Sequence, residues 1–289
     1  MSKFRLGALP PVPSVLLASL SVQAGAAMAK GLFPAVGPTG AASLRIGLSA
    51  VMLLLAFRPR IAAMSGAQWR AVVPYGMTLG AMNVLFYLAL ARVPLGLCVT
   101  LEFVGPLLLA VSSSRRALDF LWVVLAAGGI GLIAPWNGQG LDMLGALLAL
   151  LAGACWAGYI VLGGRVSQVL PGSGAVATGM VFATLTVLPF TLVGGGLSQL
   201  TPGLFASGLL LALLSSAIPF SLEMNALRKL PGRTFSILMS LGPVLAALCG
   251  LLFLGEHLLP TQWLAVALVV AASAGATLNA KKVALPVEG

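Results

Sequence analysis

The sequence predicts an all-α polytopic membrane protein, with ten transmembrane helices arranged as two five-helix repeats of inverted topology. Three observations support this fold class. Of the 289 residues, 60% are hydrophobic and only 8% are charged, whereas a soluble domain is about one-quarter charged. The chain is divided into apolar runs long enough to cross a bilayer core of about 30 Å. Motifs of the first half also recur in the second half at a nearly constant offset.

Ten apolar runs lie between breaks rich in proline and glycine, and each run predicts one span. In chain order the spans are residues 12–33, 38–57, 70–91, 94–112, 119–136, 142–163, 173–194, 203–227, 232–254 and 261–280. Basic residues before an apolar run are also a feature of signal peptides. We nevertheless expect the first span to stay in the protein, because the repeat requires it.

The distribution of lysine and arginine predicts the orientation of the spans. With a cytoplasmic N-terminus, two of these residues, Lys30 and Arg92, lie on the outer side and thirteen on the cytoplasmic side. The thirteen are Lys3, Arg5, Arg58, Arg60, Arg70, Arg115, Arg116, Arg165, Arg228, Lys229, Arg233, Lys281 and Lys282. The positive-inside rule therefore predicts that both termini are cytoplasmic. Because the basic residues are scattered between apolar runs, the net charge of +10 does not indicate nucleic-acid binding.

Paired motifs define the repeat. The pairs separated by 137 residues are Pro94 and Pro231, Gly105-Pro106 and Gly242-Pro243, and Asp119 and Glu256. The pairs separated by 133 residues are Gln23 and Trp156, and Pro38 and Pro171. We place the two halves at residues 1–136 and 137–289. Five spans is an odd number, so the halves enter the membrane from opposite sides, an arrangement found in alternating-access transporters.

Three stretches carry a family resemblance. They are VPLGLCVTLEFVGPLLLAVSSSRRALDFLWVVLA (93–126), AGACWAGYIVLGGR (152–165) and IPFSLEMNALRKLPGRTFSILMSLGPVLAALCGLLFLGE (218–256). The chain resembles the EamA-type branch of the ten-helix drug/metabolite transporter superfamily, and within it the bacterial threonine/homoserine exporters. The resemblance implies export of small polar amino acids across the bacterial inner membrane. One departure is Leu241-Gly242-Pro243, because the second repeat of the family often has an acidic residue before this turn.

Glu102 is the first candidate for a substrate-binding residue. It follows Pro94 by eight residues, about 12 Å along a helix, which places it near the membrane midplane. A carboxylate there costs about 2.5–3.5 kcal/mol, so we expect it to face a water-filled cavity or a partner. It is a candidate for binding a substrate ammonium group and for carrying a coupling proton. A structural ion pair, or a carboxyl group hydrogen-bonded between helices, is the alternative.

Arg45, about seven residues inside the second span, is the second candidate. Its planar guanidinium suits a carboxylate, either that of an amino-acid substrate or that of Glu102. Lys30 ends the first span, where a lysine can extend to the outer interface. Glu223 lies close to Lys229 in sequence, and a salt bridge at the cytoplasmic interface is the simpler interpretation.

Five polar or aromatic residues complete the candidate site. Asn83 and Tyr87 lie four residues apart on one face of the third span, and Gln23 lies at a similar depth in the first. These groups suit hydrogen bonds to a polar substrate, or else to neighbouring helices. Trp156 and Tyr159 are candidates for cavity walls, with plain helix packing as the alternative. Gly76 and Gly80, also four residues apart, predict close helix packing.

An intramembrane enzyme is not expected. The only histidine, His257, lies in a predicted loop, and the two intramembrane glutamates lie at different depths. The three cysteines have neither paired spacing nor a histidine cluster, so we expect no metal site and no cofactor. The expected partners are an amino-acid substrate, the lipid bilayer and protons. A broad exporter of drugs or other metabolites is the alternative, and the lining of the cavity distinguishes the two.

Overall fold

Helices account for most of the chain. A computed structural model describes residues 10–112, 117–133, 142–170, 173–195, 198, 200–227 and 229–279. The helices are α1 (Pro11–Phe57), α2 (Gly66–Leu90), α3 (Leu95–Glu102), α4 (Val104–Ser112), α5 (Ala117–Ile133), α6 (Met143–Val169), α7 (Ser173–Val193), α8 (Pro202–Ala212), α9 (Ile218–Leu227), α10 (Gly232–Met239), α11 (Gly242–Leu254) and α12 (Pro260–Asn279). A 3-10 turn follows α1, and a π-helical segment, Leu213–Ala217, joins α8 to α9. These residues contain no β-strand, which confirms the all-α prediction for them.

Seven of the helical segments are long and apolar enough to cross a membrane. They are Pro11–Phe57, Gly66–Leu90, Leu95–Ser112, Met143–Val169, Gly174–Val193, Thr234–Leu254 and Pro260–Leu278, and two shorter apolar helices are Phe120–Leu132 and Pro202–Ala217. Large apolar side chains also lie on the outer surface, with Phe120, Val193 and Leu252 among the most exposed. Such a surface suits lipid rather than water. The chain is thus polytopic, and ten separate spans remain a prediction.

Several predictions fall on residues outside the described part of the chain. These residues are Lys3, Arg5, Arg115, Arg116, Pro171, Arg228, Lys281 and Lys282, together with the side chains of Asp119 and Arg233. The orientation of the spans and two of the repeat pairs, Pro38–Pro171 and Asp119–Glu256, therefore stay predictions.

The first two predicted spans form one helical segment of 47 residues. At 1.5 Å per residue it would be about 70 Å long if straight, more than twice the bilayer core. Gly37 interrupts it with φ 69° and ψ 169°, a backbone conformation that glycine adopts without steric penalty. Pro34 and Pro38 lie on either side, and neither has an N–H for the helical ladder. The predicted break at Gly37-Pro38 is thus a kink within a helical segment rather than a loop.

Two other predicted spans are each broken near the middle. Residues 94–112 form α3 and α4, which are separated at Phe103. Residues 232–254 form α10 and α11, which are separated at residues 240–241. Prediction from sequence treated each of these as a single span, although it noted the prolines within them.

Proline accounts for both breaks. A proline lacks the N–H that would bond the carbonyl four residues earlier. Pro106 therefore cannot bond the carbonyl of Glu102, and Pro243 cannot bond that of Met239. These carbonyls belong to the last residues of α3 and α10, so each short helix ends where its proline removes a hydrogen bond.

Glycine lets α2 and α7 pack with their backbones in contact. A Cβ added to Gly76 would collide with the carbonyl oxygen of Gly179, and one added to Gly80 would lie 2.7 Å from that of Ala183. This is the small-residue packing typical of membrane helices. The prediction of close packing at Gly76 and Gly80 is confirmed.

Substitution at Gly76 tests this packing. We expect Gly76→Ala to destabilise the protein by about 1–3 kcal/mol, because the added methyl group overpacks a contact with backbone atoms. The Tm of the purified protein in detergent should therefore fall by several degrees.

Gly164→Ala is the matched control, because a Cβ at Gly164 in α6 meets nothing within 4 Å. Its Tm should equal or exceed that of the unaltered protein, because alanine favours a helix more than glycine does. Equal losses of Tm in the two variants would contradict the packing argument.

Candidate functional site

A cavity of about 230 Å³ lies where the broken helices meet α1, α2 and α6. Its lining residues are Ser19, Val22, Gln23, Ala26, Arg45, Leu79, Met82, Asn83, Phe86, Val99, Glu102, Phe103, Trp156, Tyr159, Met239 and Gly242. Glu102 and Met239, the residues at the two proline breaks, both belong to this lining. The breaks thus bring irregular backbone to a cavity rather than to lipid, and membrane proteins tolerate such backbone where it lines a cavity or is buried in protein.

The structure brings six of the seven predicted site residues to this one cavity. They are Gln23, Arg45, Asn83, Glu102, Trp156 and Tyr159. Tyr87 is not part of the lining, and its side chain is completely buried.

Tyr87 lies behind Arg45 instead of beside the cavity. The guanidinium carbon of Arg45 is 5.9 Å from the centre of the Tyr87 ring, within the range of a cation–π interaction. Phe33 and Phe86 pack against the same ring. Tyr87 is therefore a support for the arginine rather than a group that faces the cavity.

The two charges of the cavity do not pair with each other. The ion pairs among the described residues are Lys30–Glu256 and Arg92–Asp142, so the predicted alternative of an Arg45–Glu102 ion pair is not observed. Within the same residues, Nε of Arg45 is buried and has no hydrogen-bond partner. A basic and an acidic side chain thus line one small space without forming a contact ion pair.

Glu102 is held in place through its backbone. It is the last residue of α3, and only 8% of it is exposed. Its carbonyl oxygen lies so close to Gly153 of α6 that a Cβ at Gly153 would collide with it. Gly105, three residues later, makes a similarly close backbone contact with Gly153. The position of the carboxylate therefore depends on two glycines that let α6 approach the break.

The two amides of the lining each have a partner within the protein. Nε2 of Gln23 donates a hydrogen bond to the carbonyl of Gly242 at 3.4 Å, and so joins α1 to the break before α11. Nδ2 of Asn83 donates to the carbonyl of Leu79, one turn earlier in α2, at 2.9 Å. Both amides therefore have a structural role in addition to their place in the lining.

Aromatic side chains form two walls of the cavity. Trp156 packs edge-to-face on Phe103, with ring centres 4.9 Å apart. Tyr159 stacks on Tyr75 of α2 at 4.8 Å, and the hydroxyl of Tyr75 donates to that of Tyr159 at 2.9 Å. The lining combines opposed charges with aromatic surface, so it has features of both functions that the sequence left open.

Sequence reasoning missed several lining residues, of which Ser19 and Met239 are the most informative. Ser19 precedes Gln23 by four residues on the same helix, so helical periodicity provided a signal for it. Met239 is separated from Glu102 by 137 residues, so the repeat provided a signal for it too. In the structure, the Ser19 hydroxyl lies 3.5 Å from the sulfur of Met239. No group of three or more potential metal ligands occurs among the residues described.

Lys30 has partners within the protein, and its extension to the outer interface stays a prediction. Its Nζ lies 2.7 Å from Oε1 of Glu256, and it also donates to the carbonyl of Val93 at 2.9 Å. Glu223 does not line the cavity. Its predicted salt bridge at the cytoplasmic interface stays a prediction.

The second ion pair is exposed at the start of α6. Nη1 of Arg92 lies 3.1 Å from Oδ2 of Asp142. Oδ1 of Asp142 caps α6 by accepting a hydrogen bond from the N–H of Gly145. That backbone bond, and then the Arg92 guanidinium, lower the pKa of the Asp142 carboxyl from its ordinary value.

Comparison with known proteins decides the family. The sequence profile of the EamA-like transporter family matches residues 143–278. The chain is 45% identical to the threonine/homoserine exporter RhtA of Escherichia coli (strain K12), over 94% of this chain and 92% of the relative. This chain belongs to the EamA-like transporter family. RhtA of Salmonella typhimurium (strain LT2) has the same identity and coverage.

More distant relatives agree with this assignment. An uncharacterized transporter of Bacillus subtilis, YwfM, is 26% identical over 80% of this EamA-like chain and 80% of its own. A solved crystal structure matches 93% of this chain and 98% of its own with a TM-score of 0.59 and 17% identity, which shows the fold alone. The protein is a membrane transporter, as predicted, and not an enzyme.

The geometry predicts opposite effects on stability for two glutamates. Glu102→Gln should leave the Tm unchanged or raise it, because it removes a buried charge that makes no contact ion pair. Glu256→Gln should lower the Tm, because it removes the charge that binds Lys30. Thermal unfolding of both variants in detergent checks the expectation, and a loss of Tm for Glu102→Gln would indicate a structural role for Glu102.

Proposed function

We propose that this transporter exports small zwitterionic amino acids of the threonine and homoserine type. The observation that carries the proposal is the cavity in which Arg45 and Glu102 both face the same space without pairing. A free amino acid carries the complementary charges, an ammonium group and a carboxylate, on one carbon atom. The 45% identity to exporters named for threonine and homoserine supports the same substrate class.

Each charge has a proposed partner on the substrate. Arg45 binds the carboxylate, for which its guanidinium offers two parallel N–H donors. Glu102 binds the ammonium group. Gln23, Asn83 and Tyr159 surround the remaining space and can hydrogen-bond the substrate hydroxyl. Trp156 closes the wall beside them.

The size of the cavity favours a small substrate. Pockets for drug-sized ligands measure about 300–1,000 Å³, and this cavity is smaller, about 230 Å³. The second candidate, a broad exporter of drugs or other metabolites, is favoured by the walls of Phe86, Phe103 and Trp156. Met82 and Met239 also favour this second candidate, because methionine is common at surfaces that accept varied ligands. The opposed charges make it second, since an apolar ligand would leave both unsatisfied.

Alternating access is the proposed mechanism, with ten spans in two inverted halves at residues 1–136 and 137–289. Two broken helices support it. The helices α3 and α10 each have eight residues, and each follows a proline. The first residues of the two helices are 137 positions apart, and so are their last residues. Broken helices at corresponding positions of two repeats are typical of the binding site in such transporters.

Proton antiport is the proposed source of energy, with Glu102 as the proton carrier. A carboxyl group that is protonated after the substrate ammonium leaves, and deprotonated on the cytoplasmic side, would couple the two fluxes. Its position in the lining supports this role. The inner membrane, where the proton gradient lies, is the proposed location, with both termini in the cytoplasm.

Cysteine labelling tests the proposed orientation. Intact cells would express the protein with either Arg60→Cys or Arg92→Cys, and both positions are exposed. A membrane-impermeant thiol reagent should label position 92 in intact cells and position 60 only after the cells are opened. The reverse pattern would mean that the termini lie outside.

Efflux from proteoliposomes tests substrate and coupling. Vesicles loaded with labelled homoserine or threonine should lose it faster with an inward proton gradient. Glu102→Gln should abolish the stimulation by the gradient. Arg45→Lys should reduce efflux at least about tenfold, because a point charge replaces a two-donor contact.

Arg92→Gln is the control, since an exposed ion pair contributes only about 0–1 kcal/mol. It should transport at the unaltered rate. Efflux at the same rate with and without the proton gradient would rule out proton antiport but would still support amino-acid export. If a folded protein moved neither amino acid but did move an aromatic cation, the broad exporter would replace the proposal.

A further inference from the structure

A second charged cluster lies outside the cavity. Oε1 of Glu256 binds Nζ of Lys30 at 2.7 Å, and its Oε2 accepts the backbone N–H of Leu95 at 2.7 Å. Lys30 in turn donates to the carbonyl of Val93 at 2.9 Å. One carboxylate therefore joins the first half of α1, the start of α3 and the end of α11.

The chain around Glu256 is shaped to hold its carboxylate there. Gly255 ends α11 with φ 65°, in the left-handed region, which favours glycine. The N–H of Glu256 then bonds back to the carbonyl of Gly250 at 3.0 Å. A Cβ at Gly250 would lie 2.5 Å from Oε2 of Glu256 and 3.6 Å from Leu95. The carboxylate thus occupies space that a side chain at Gly250 would fill.

The cluster lies directly beyond one end of the cavity. Lys30 follows the lining residue Ala26 by four positions in α1, and Leu95 precedes the lining residue Val99 by four positions in α3. Each distance is about 6 Å, or one helical turn. Two of the helices that form the cavity therefore converge on the ion pair, one helical turn beyond the lining.

The partial exposure of the pair suits a contact that opens and closes. The side chains of Lys30 and Glu256 are 23% and 15% exposed, against 44% and 39% for Arg92 and Asp142. A fully exposed pair contributes little, and a fully buried pair is costly to separate. An intermediate pair with two added backbone hydrogen bonds favours the closed state, yet its charges can be hydrated when it separates.

We propose that Lys30 and Glu256 form the outer gate of the transport pathway. The pair closes the cavity toward the predicted outer face, and it separates to release the substrate on that side. The gate rests on the proposed alternating-access export. It does not depend on which substrate is carried, because neither residue lines the cavity.

Accessibility of a cavity cysteine tests the gate. The full-length protein would carry Ser19→Cys as a reporter, in intact cells treated with a membrane-impermeant thiol reagent. Protein without the reporter corrects for Cys98, Cys155 and Cys249. Lys30→Met should raise the labelling rate of position 19 on the order of tenfold, as expected when one charged hydrogen-bonded pair no longer favours closure. Glu256→Gln should act in the same direction.

Two control variants separate gating from general loosening. Lys30→Arg keeps the charge and the donors, and Arg92→Gln removes a basic residue from the same face, so both should label at the unaltered rate. Unchanged labelling in both Lys30→Met and Glu256→Gln would overturn the gate. So would an equal rise when the reagent is applied to inverted vesicles, since that would indicate loosening at both faces. Labelling requires no substrate, so a failed efflux assay leaves this result interpretable.

Discussion

A polar group in the bilayer core must have a partner, because an unsatisfied one costs several kcal/mol, and the architecture around the cavity follows from this constraint. Pro106 and Pro243 each remove a helical hydrogen bond, and Glu102 adds a charge at the first of these breaks. The chain places both breaks at one cavity instead of at lipid. Gly153 is the residue that permits this, since any side chain there would collide with the backbone of Glu102.

Four ionic groups in and beside the cavity fall into two classes with different consequences. Lys30 and Glu256 satisfy each other, with backbone groups completing their hydrogen bonds. Arg45 instead rests on the ring of Tyr87, and it makes no contact ion pair with Glu102. A satisfied pair stabilises one arrangement of the helices, whereas unsatisfied charges remain available to a ligand. Two different pairs of residues therefore suit the two proposed roles, Lys30 and Glu256 for closure and Arg45 and Glu102 for recognition.

The charged and amide residues of the cavity were predictable from residue type and depth, because a charge or amide in the middle of an apolar span has few places to go. Helix rotation was harder to predict. The lining residues of α2 are Leu79, Met82, Asn83 and Phe86, which follow the spacing i, i+3, i+4, i+7. Tyr87, at i+8, continues this stripe by periodicity, yet it packs against Arg45 and does not line the cavity. The Lys30–Glu256 pair joins residues 226 positions apart, and only tertiary structure reveals such a contact.

The proposed repeat also explains why a nearly symmetric scaffold gives an asymmetric site. Glu102 and Met239 occupy corresponding positions of the proposed repeat, one at each break. Gln23 and Trp156 also correspond, and each lies on the first helix of its proposed half. In each pair the first half supplies the polar residue and the second half the apolar or aromatic one. Arg45 also belongs to the first half. In the proposed repeat, duplication would supply the two broken helices, and divergence of the paired positions would place both charges in the first half. The proposed zwitterionic substrate matches that division, because both of its charged groups would bind residues of the first half.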